Sequence, residues 1–149
     1  MLKRISTILL ALPLVMFLFS SCTKDVVIDD SSDIEGTWAV TGIRSSQSYD
    51  WDGDGDNETD ILGTYSSCQR DIVLVFEYNG YGQARQGCNA SWQNLYWSLD
   101  NNNRRLAISL SGDDLNLDIT QITSNTIRGE DRVNVDGRSF VVTYTLSRR

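Results

Sequence analysis

The chain has 149 residues with 13 Lys and Arg, 20 Asp and Glu, three Cys and no His. Without histidine there is no Ser-His-Asp or Cys-His nucleophile system and no His-ligated zinc or iron centre. A net charge of −7 repels phosphate backbones, which argues against nucleic acid as a partner, and the length suits one domain.

The chain opens with MLKR, whose Lys3 and Arg4 precede the uncharged run ISTILLALPLVMFLF. Ser20 and Ser21 then lead into Cys22. A basic head, an apolar middle and small residues before a cut site describe a secretory signal over residues 1–21, and the run is short for a membrane span. The small pair before Cys22 resembles the lipobox of bacterial lipoproteins, with Phe19 standing where Leu is usual. That resemblance implies cleavage and acylation at Cys22, hence membrane attachment by an N-terminal lipid anchor. Residues 22–33 read as a polar, acidic tether. Its start, Cys22-Thr23-Lys24-Asp25, is similar to lipoproteins of the Bacteroidetes type, which implies an outer-membrane lipoprotein on the periplasmic face or at the cell surface. Loss of Lys3 and Arg4 takes the basic count from 13 to 11 against 20 acids, a net of −9, so acyl chains and not charge must hold the protein to anionic lipid.

The first strand falls on GTWAVTGIR, with Trp38 and Val40 on one face. A connection over 45–67 follows, and within it DWDGDGDNETD sets six carboxylates in eleven residues with no basic partner. Taking Asp50 as position one, Asp52 and Asp54 stand at three and five, Gly55 at the turn position six and Glu58 at nine. This run resembles EF-hand-type and dockerin-type calcium loops, because carboxylates on alternate residues of a tight loop converge on one point. Position twelve is Ile61, not Glu, and Asp60 stands one residue earlier; a register starting at Asp52 and using Asp54, Asp56, Glu58 and Asp60 also fits. The metal candidates are therefore Asp50, Asp52, Asp54, Asp56, Glu58 and Asp60, with structural calcium as the cofactor. A solvated acidic loop and a docking face for a basic partner stand beside that reading.

Seven more strands follow by period-two alternation, none with helical periodicity. Ile72, Leu74, Phe76 and Tyr78 share a face, and YGQARQG follows after the hairpin signal Asn79-Gly80. Leu95, Trp97 and Leu99 alternate in the next run, then Leu106, Ile108 and Leu110, then Leu115, Leu117 and Ile119. A polar strand lies around TIRGEDRVNV, and Phe140, Val142, Tyr144 and Leu146 close the chain. Turn signals at 101–103, 111–113 and 136–137 separate them. Cys68 and Cys88 lie on opposite arms of the Asn79-Gly80 hairpin near its open end. In an oxidising compartment they make a disulfide. Short turns force antiparallel neighbours, and one apolar face per strand requires closure or a second layer. The expected fold is all-β, an eight-stranded antiparallel up-and-down barrel, with a two-sheet sandwich as the alternative.

Gly36-Thr37-Trp38 at the start of the first strand resembles the G-x-W signature of the lipocalins. The pattern from Ile34 to Leu146 is similar to lipocalin-like domains of Bacteroidetes lipoproteins. The resemblance implies an arginine near the C-terminus packed over Trp38, either Arg148 or Arg149. It also implies a non-enzymatic binder of a small apolar ligand in the barrel mouth. An interior holding Trp38, Phe76, Trp97, Phe140 and Tyr144 is also able to fill itself. The second reading is then a surface module that meets a protein or glycan through Tyr49, Trp51, Trp92 or Tyr96.

Overall fold

The computed structural model describes residues 27–28, 34–100, 102 and 104–149. The signal segment, Cys22 and most of the tether lie outside the described residues. Twelve elements follow in order: β1 (Val27–Ile28), β2 (Gly36–Tyr49), β3 (Glu58–Asp60), α1 (Ile61–Thr64), β4 (Ile72–Phe76), a helical turn (Tyr78–Gly80), β5 (Tyr81–Gln86), β6 (Gln93–Asp100), β7 (Arg105–Leu110), β8 (Asp113–Ile122), β9 (Thr126–Val135) and β10 (Arg138–Arg148).

Each main strand pairs antiparallel with its sequence neighbour from β4 to β10; β10 and β4 both pair with β2, and β8 pairs with β9. The sheet thus closes into an eight-stranded up-and-down barrel, and the sandwich alternative falls away. The turns explain the up-and-down course. Asn79 and Gly80, Ser111 and Gly112, and Asp136 and Gly137 all hold positive φ, the pairing that matches strand twist in a tight hairpin.

Two bulges let the strands curve. The register of β2 against β10 shifts at Thr145/Leu146, so Thr41 is the extra residue and the buried set moves from Trp38 and Val40 to Ile43 and Ser45. A similar shift in β8 between Ile119 and Gln121 moves burial from Leu117 and Ile119 to Ile122.

Three expectations are corrected. The connection drawn over 45–67 is shorter at its start, because β2 continues to Tyr49, where it meets Glu58 of β3; Ile61–Thr64 then form the single turn α1. Val27 and Ile28, read as part of the tether, run parallel to Gln121 and Ile122 at the edge of β8. Tyr78 does not share the inward face of β4 but is 72% exposed in the turn.

The topology gives the barrel two unlike ends. The start of β2, the β4–β5 turn, the β8–β9 turn and the end of β10 meet at one end. Tyr49, the 50–57 loop, the β5–β6 loop and the turns at 111–112 and 136–137 meet at the other, called the mouth below. Trp38, Phe76, Leu95, Leu106, Leu117, Ile122, Ile127, Val142 and Leu146 are all buried to within about 2% of full occlusion and fill the axis.

Candidate metal centre and barrel mouth

At the closed end, opposite the mouth, the G-x-W signature acts through four contacts. Trp38 is fully buried and its Nε1 donates to Ile34 O at 2.8 Å. The Arg148 guanidinium lies 4.5 Å over its ring, donating from Nη1 to Glu35 O at 2.9 Å and from Nε to Ser124 O at 2.6 Å. Of the two arginines open in the sequence, Arg148 is the one that covers the tryptophan, while Arg149 reaches Asp71 at 2.9 Å. Gly36 has φ of +129°, and a Cβ there would meet Arg148 Nη1 at 2.6 Å. The glycine is what admits the arginine.

At the mouth, Asp50, Asp52, Asp54 and Glu58 each place a carboxylate oxygen within 4.8 Å of the others. Side-chain-to-backbone bonds shape the loop. Asp50 accepts from Gly53 N at 2.7 Å and Gly55 N at 3.1 Å, and Asp52 from Asp54 N at 3.3 Å. Asp54 accepts from Asp56 N at 2.8 Å, and Glu58 from Trp51 N at 3.2 Å. Gly53 and Gly55 take positive φ, and a Cβ at either would meet nothing within 4 Å, so conformation and not space calls for glycine. Oxygens bound to one Ca²⁺ at about 2.3–2.6 Å lie at most about 5 Å apart, so the four carboxylates fit a single ion.

Two of the six sequence candidates do not join that group. Asp60 instead caps α1 by accepting from Gly63 N at 3.2 Å and faces Arg44 at 3.4 Å. Asp56 donates its own N–H into the loop, and its carboxylate is not in the cluster. The arrangement corresponds to the register starting at Asp50.

The acidic loop adjoins an aromatic cluster. Tyr49, Trp51 and Phe140 meet edge to face at 5.2–5.3 Å between centroids. The Tyr49 hydroxyl donates to Asp136 Oδ2 at 2.6 Å, a bond that raises the phenol above its usual pKa by favouring the protonated form. Tyr144 is likewise raised, mainly by burial and then by the charge of Asp131. The tight Tyr49–Asp136 contact had no sequence signal, since 87 residues separate the pair.

Ile61 and Leu62 of α1 are buried in the core beside this cluster. The Cys68–Cys88 disulfide, Cα atoms 5.1 Å apart, ties the segment after α1 to the β5–β6 loop. Asp71 bridges Arg85 at 3.0 Å and Arg149 at 2.9 Å just beyond it. A recess of about 250 Å³ remains there, lined by Ile72, Leu74, Ala84, Gln93 and Leu110 among others.

The four aromatics proposed for surface contact divide. Tyr49 and Trp51 pack at the mouth, whereas Trp92 is 45% exposed beneath Arg85 at 5.2 Å and Tyr96 is 57% exposed. Tyr96 pairs edge to face with Tyr81, also 57% exposed, at 5.5 Å. Tyr81 was not among the sequence candidates; its place opposite Tyr96 follows once the β5–β6 register is known.

Residues 19–146 match the family described as Domain of unknown function (DUF5004). The chain belongs to that family. No curated protein and no solved structure matches it. The DUF5004 domain of this chain is an eight-stranded antiparallel up-and-down barrel, a fold that fits the lipocalin resemblance of its G-x-W segment.

Proposed function

We propose that this protein is an exported, non-catalytic binding domain, held to a membrane by acyl chains on Cys22, that engages its partner through its outer surface. The observation that carries the reading is the filled interior. Trp38, Phe76, Leu95, Leu106 and Leu117 occupy the axis, Trp51 packs on Phe140 at the mouth, and Ile61 and Leu62 are buried in the same core. The recess left beside them is about 250 Å³, below the roughly 300–1,000 Å³ of small-molecule pockets. Large exposed aromatics on a water-facing sheet support the surface reading.

The acidic loop takes Ca²⁺ as a structural cofactor in this reading, held by Asp50, Asp52, Asp54 and Glu58. The ion supplies positive charge where four carboxylates converge, and without it their mutual repulsion opposes the loop. The loop's own part is to hold Trp51 against Phe140 and keep the mouth closed.

Two measurements test the proposal. Titration of the purified protein with a fluorescent fatty-acid analogue is expected to show no saturable uptake; one-to-one binding would restore the apolar carrier. Metabolic labelling with palmitate in a bacterial host is expected to mark the protein and to fail in Cys22→Ala; equal labelling of both would remove the lipid anchor.

A further inference from the structure

We propose that a trough across the outer faces of β6, β7 and β8 binds a neutral saccharide, a proposal that rests on the surface-binding reading above. The strand registers build it. Tyr96, Ser109 and Asp114 stand opposite one another in one cross-strand row, and Ser98, Ala107 and Asn116 in the next. These six side chains border a hollow of about 360 Å³. Ala107 and Ser109 are half-buried and form its floor, while Tyr96, Asp114 and Asn116 stand exposed on either side. The walls lie on strands two apart, about 10 Å at the usual strand spacing.

The chemistry of the lining selects the ligand. An exposed tyrosine ring presents an electron-rich face to the C–H groups of a pyranose. Across from it, Asn116 offers two donors and an acceptor, Asp114 acceptors alone, and Ser98 and Ser109 hydroxyls that serve either way. That set matches vicinal hydroxyl groups. Charge narrows the class further. Among the described residues Asp114 is the only charged one lining the trough, and the chain is acidic throughout, at −7 overall. An anionic polymer is repelled by that field, and a neutral one is not. The row beyond Ser98 and Asn116 is Asp100, Arg105 and Asp118, with Arg105 3.7 Å from Asp118, so that end keeps a net negative charge that also repels an anionic polymer. Tyr81, opposite Tyr96 on β5, packs edge to face against its ring at the outer side of the Tyr96 row.

The test uses the full chain in mild detergent with Ca²⁺ present, run on native gels containing a soluble β-glucan, α-glucan, mannan or xylan, with polygalacturonate as the anionic control. At least one neutral polymer is expected to retard the protein and polygalacturonate is not. Tyr96→Ala and Ala107→Trp, one removing the ring and the other filling the floor, are each expected to weaken retardation tenfold or more with the melting temperature unchanged. Asn134→Ala, exposed on β9 and outside the trough, is expected to bind as the parent does. If no neutral polymer retards the protein, the saccharide assignment is wrong. Retardation that survives both trough variants would overturn the site while leaving surface binding intact. Self-association lost in Tyr96→Ala would instead give this face to a second copy and overturn the proposal. Uptake of an apolar probe into the barrel would remove the surface-binding reading itself.

Discussion

Replacing Arg148 with Ala tests what closes the barrel. Arg148 covers a Trp38 ring that is fully buried, and a cation over a desolvated indole contributes about 1–2 kcal/mol. Its two bonds, to Glu35 O and Ser124 O, differ in value. The Ser124 carbonyl is exposed and water replaces the arginine there, whereas the Glu35 carbonyl is part-buried. Loss of a charged donor at Glu35 adds about 1.5 kcal/mol. The total, about 3 kcal/mol, is a large part of the roughly 5–15 kcal/mol that stabilises a domain. Urea unfolding followed by tryptophan fluorescence would report it as a midpoint lowered by about 1.5 M for a slope near 2 kcal/mol/M. Arg149→Ala is the control. That side chain is 50% exposed in its pair with Asp71, so its loss is expected to cost less than about 1 kcal/mol. Equal midpoints for the two variants, or a change under about 0.5 kcal/mol for Arg148→Ala, would show that the stack does not close the barrel.

Further outcomes follow from the mouth. Adding about 5 mM Ca²⁺ should stabilise the protein by roughly 1–2 kcal/mol if the loop binds with a dissociation constant near 0.1–1 mM. A thermal melt would show this as a rise of several degrees, absent in Asp52→Asn/Asp54→Asn and retained in Asp60→Asn; a response lost only with Asp60 would move the site to the second register. Tyr49 and Tyr144 both have raised folded-state pKa values, so the stability they lend is complete below the ordinary tyrosine pKa of about 10. It is lost as pH rises through the raised values, and Tyr49→Phe should abolish part of that alkaline loss in chemical-denaturation curves taken at successive pH. Reduction of Cys68–Cys88, whose partners lie 20 residues apart, should lower stability by about 3 kcal/mol, measured as the shift in urea midpoint with and without a phosphine reductant. An unchanged midpoint would mean the bridge does not constrain the unfolded chain.

Much of this was legible in the sequence because a barrel strand writes its orientation every second residue. The apolar sets at 95–99, 106–110 and 140–146 name inward faces, and paired turn residues with positive φ fix the hairpins between them. Where the alternation failed, a bulge was the cause. Ile43 and Ile122 are buried out of phase with Trp38 and Leu117 because Thr41 and the irregularity beside Thr120 each insert a residue. Tyr78 continued the alternation of β4 in sequence, but the helical turn at 78–80 takes it out of the ladder. The loop's register was open for a related reason. Asp60 has the right residue type and spacing, yet capping the short α1 uses its carboxylate, and no feature of the sequence announced a helix of four residues. Arg148 and Arg149 are adjacent, so only the positions of Gly36 and Glu35 decide which one lies over the ring.

The two ends of the barrel solve the same problem by opposite means. An up-and-down barrel leaves its apolar axis open at both ends unless something covers it. At the closed end one cation covers Trp38 and ties three chain segments, Ile34–Trp38, Ser124 and the end of β10, through carbonyls that need donors. At the mouth the covering groups are Trp51 and Phe140, and what positions Trp51 is a loop of like charges. Glu58 makes the link: its carboxylate belongs to the acidic cluster and also accepts from Trp51 N, while its backbone pairs with Tyr49. Tyr49 in turn reaches Asp136 in the β9–β10 turn. A continuous set of contacts therefore runs from the acidic cluster through Glu58 and Tyr49 to Asp136 on the far side of the mouth. If the loop takes a cation as proposed, it is a conditional cover: the ion would relieve the repulsion among the four carboxylates, and its removal would favour opening.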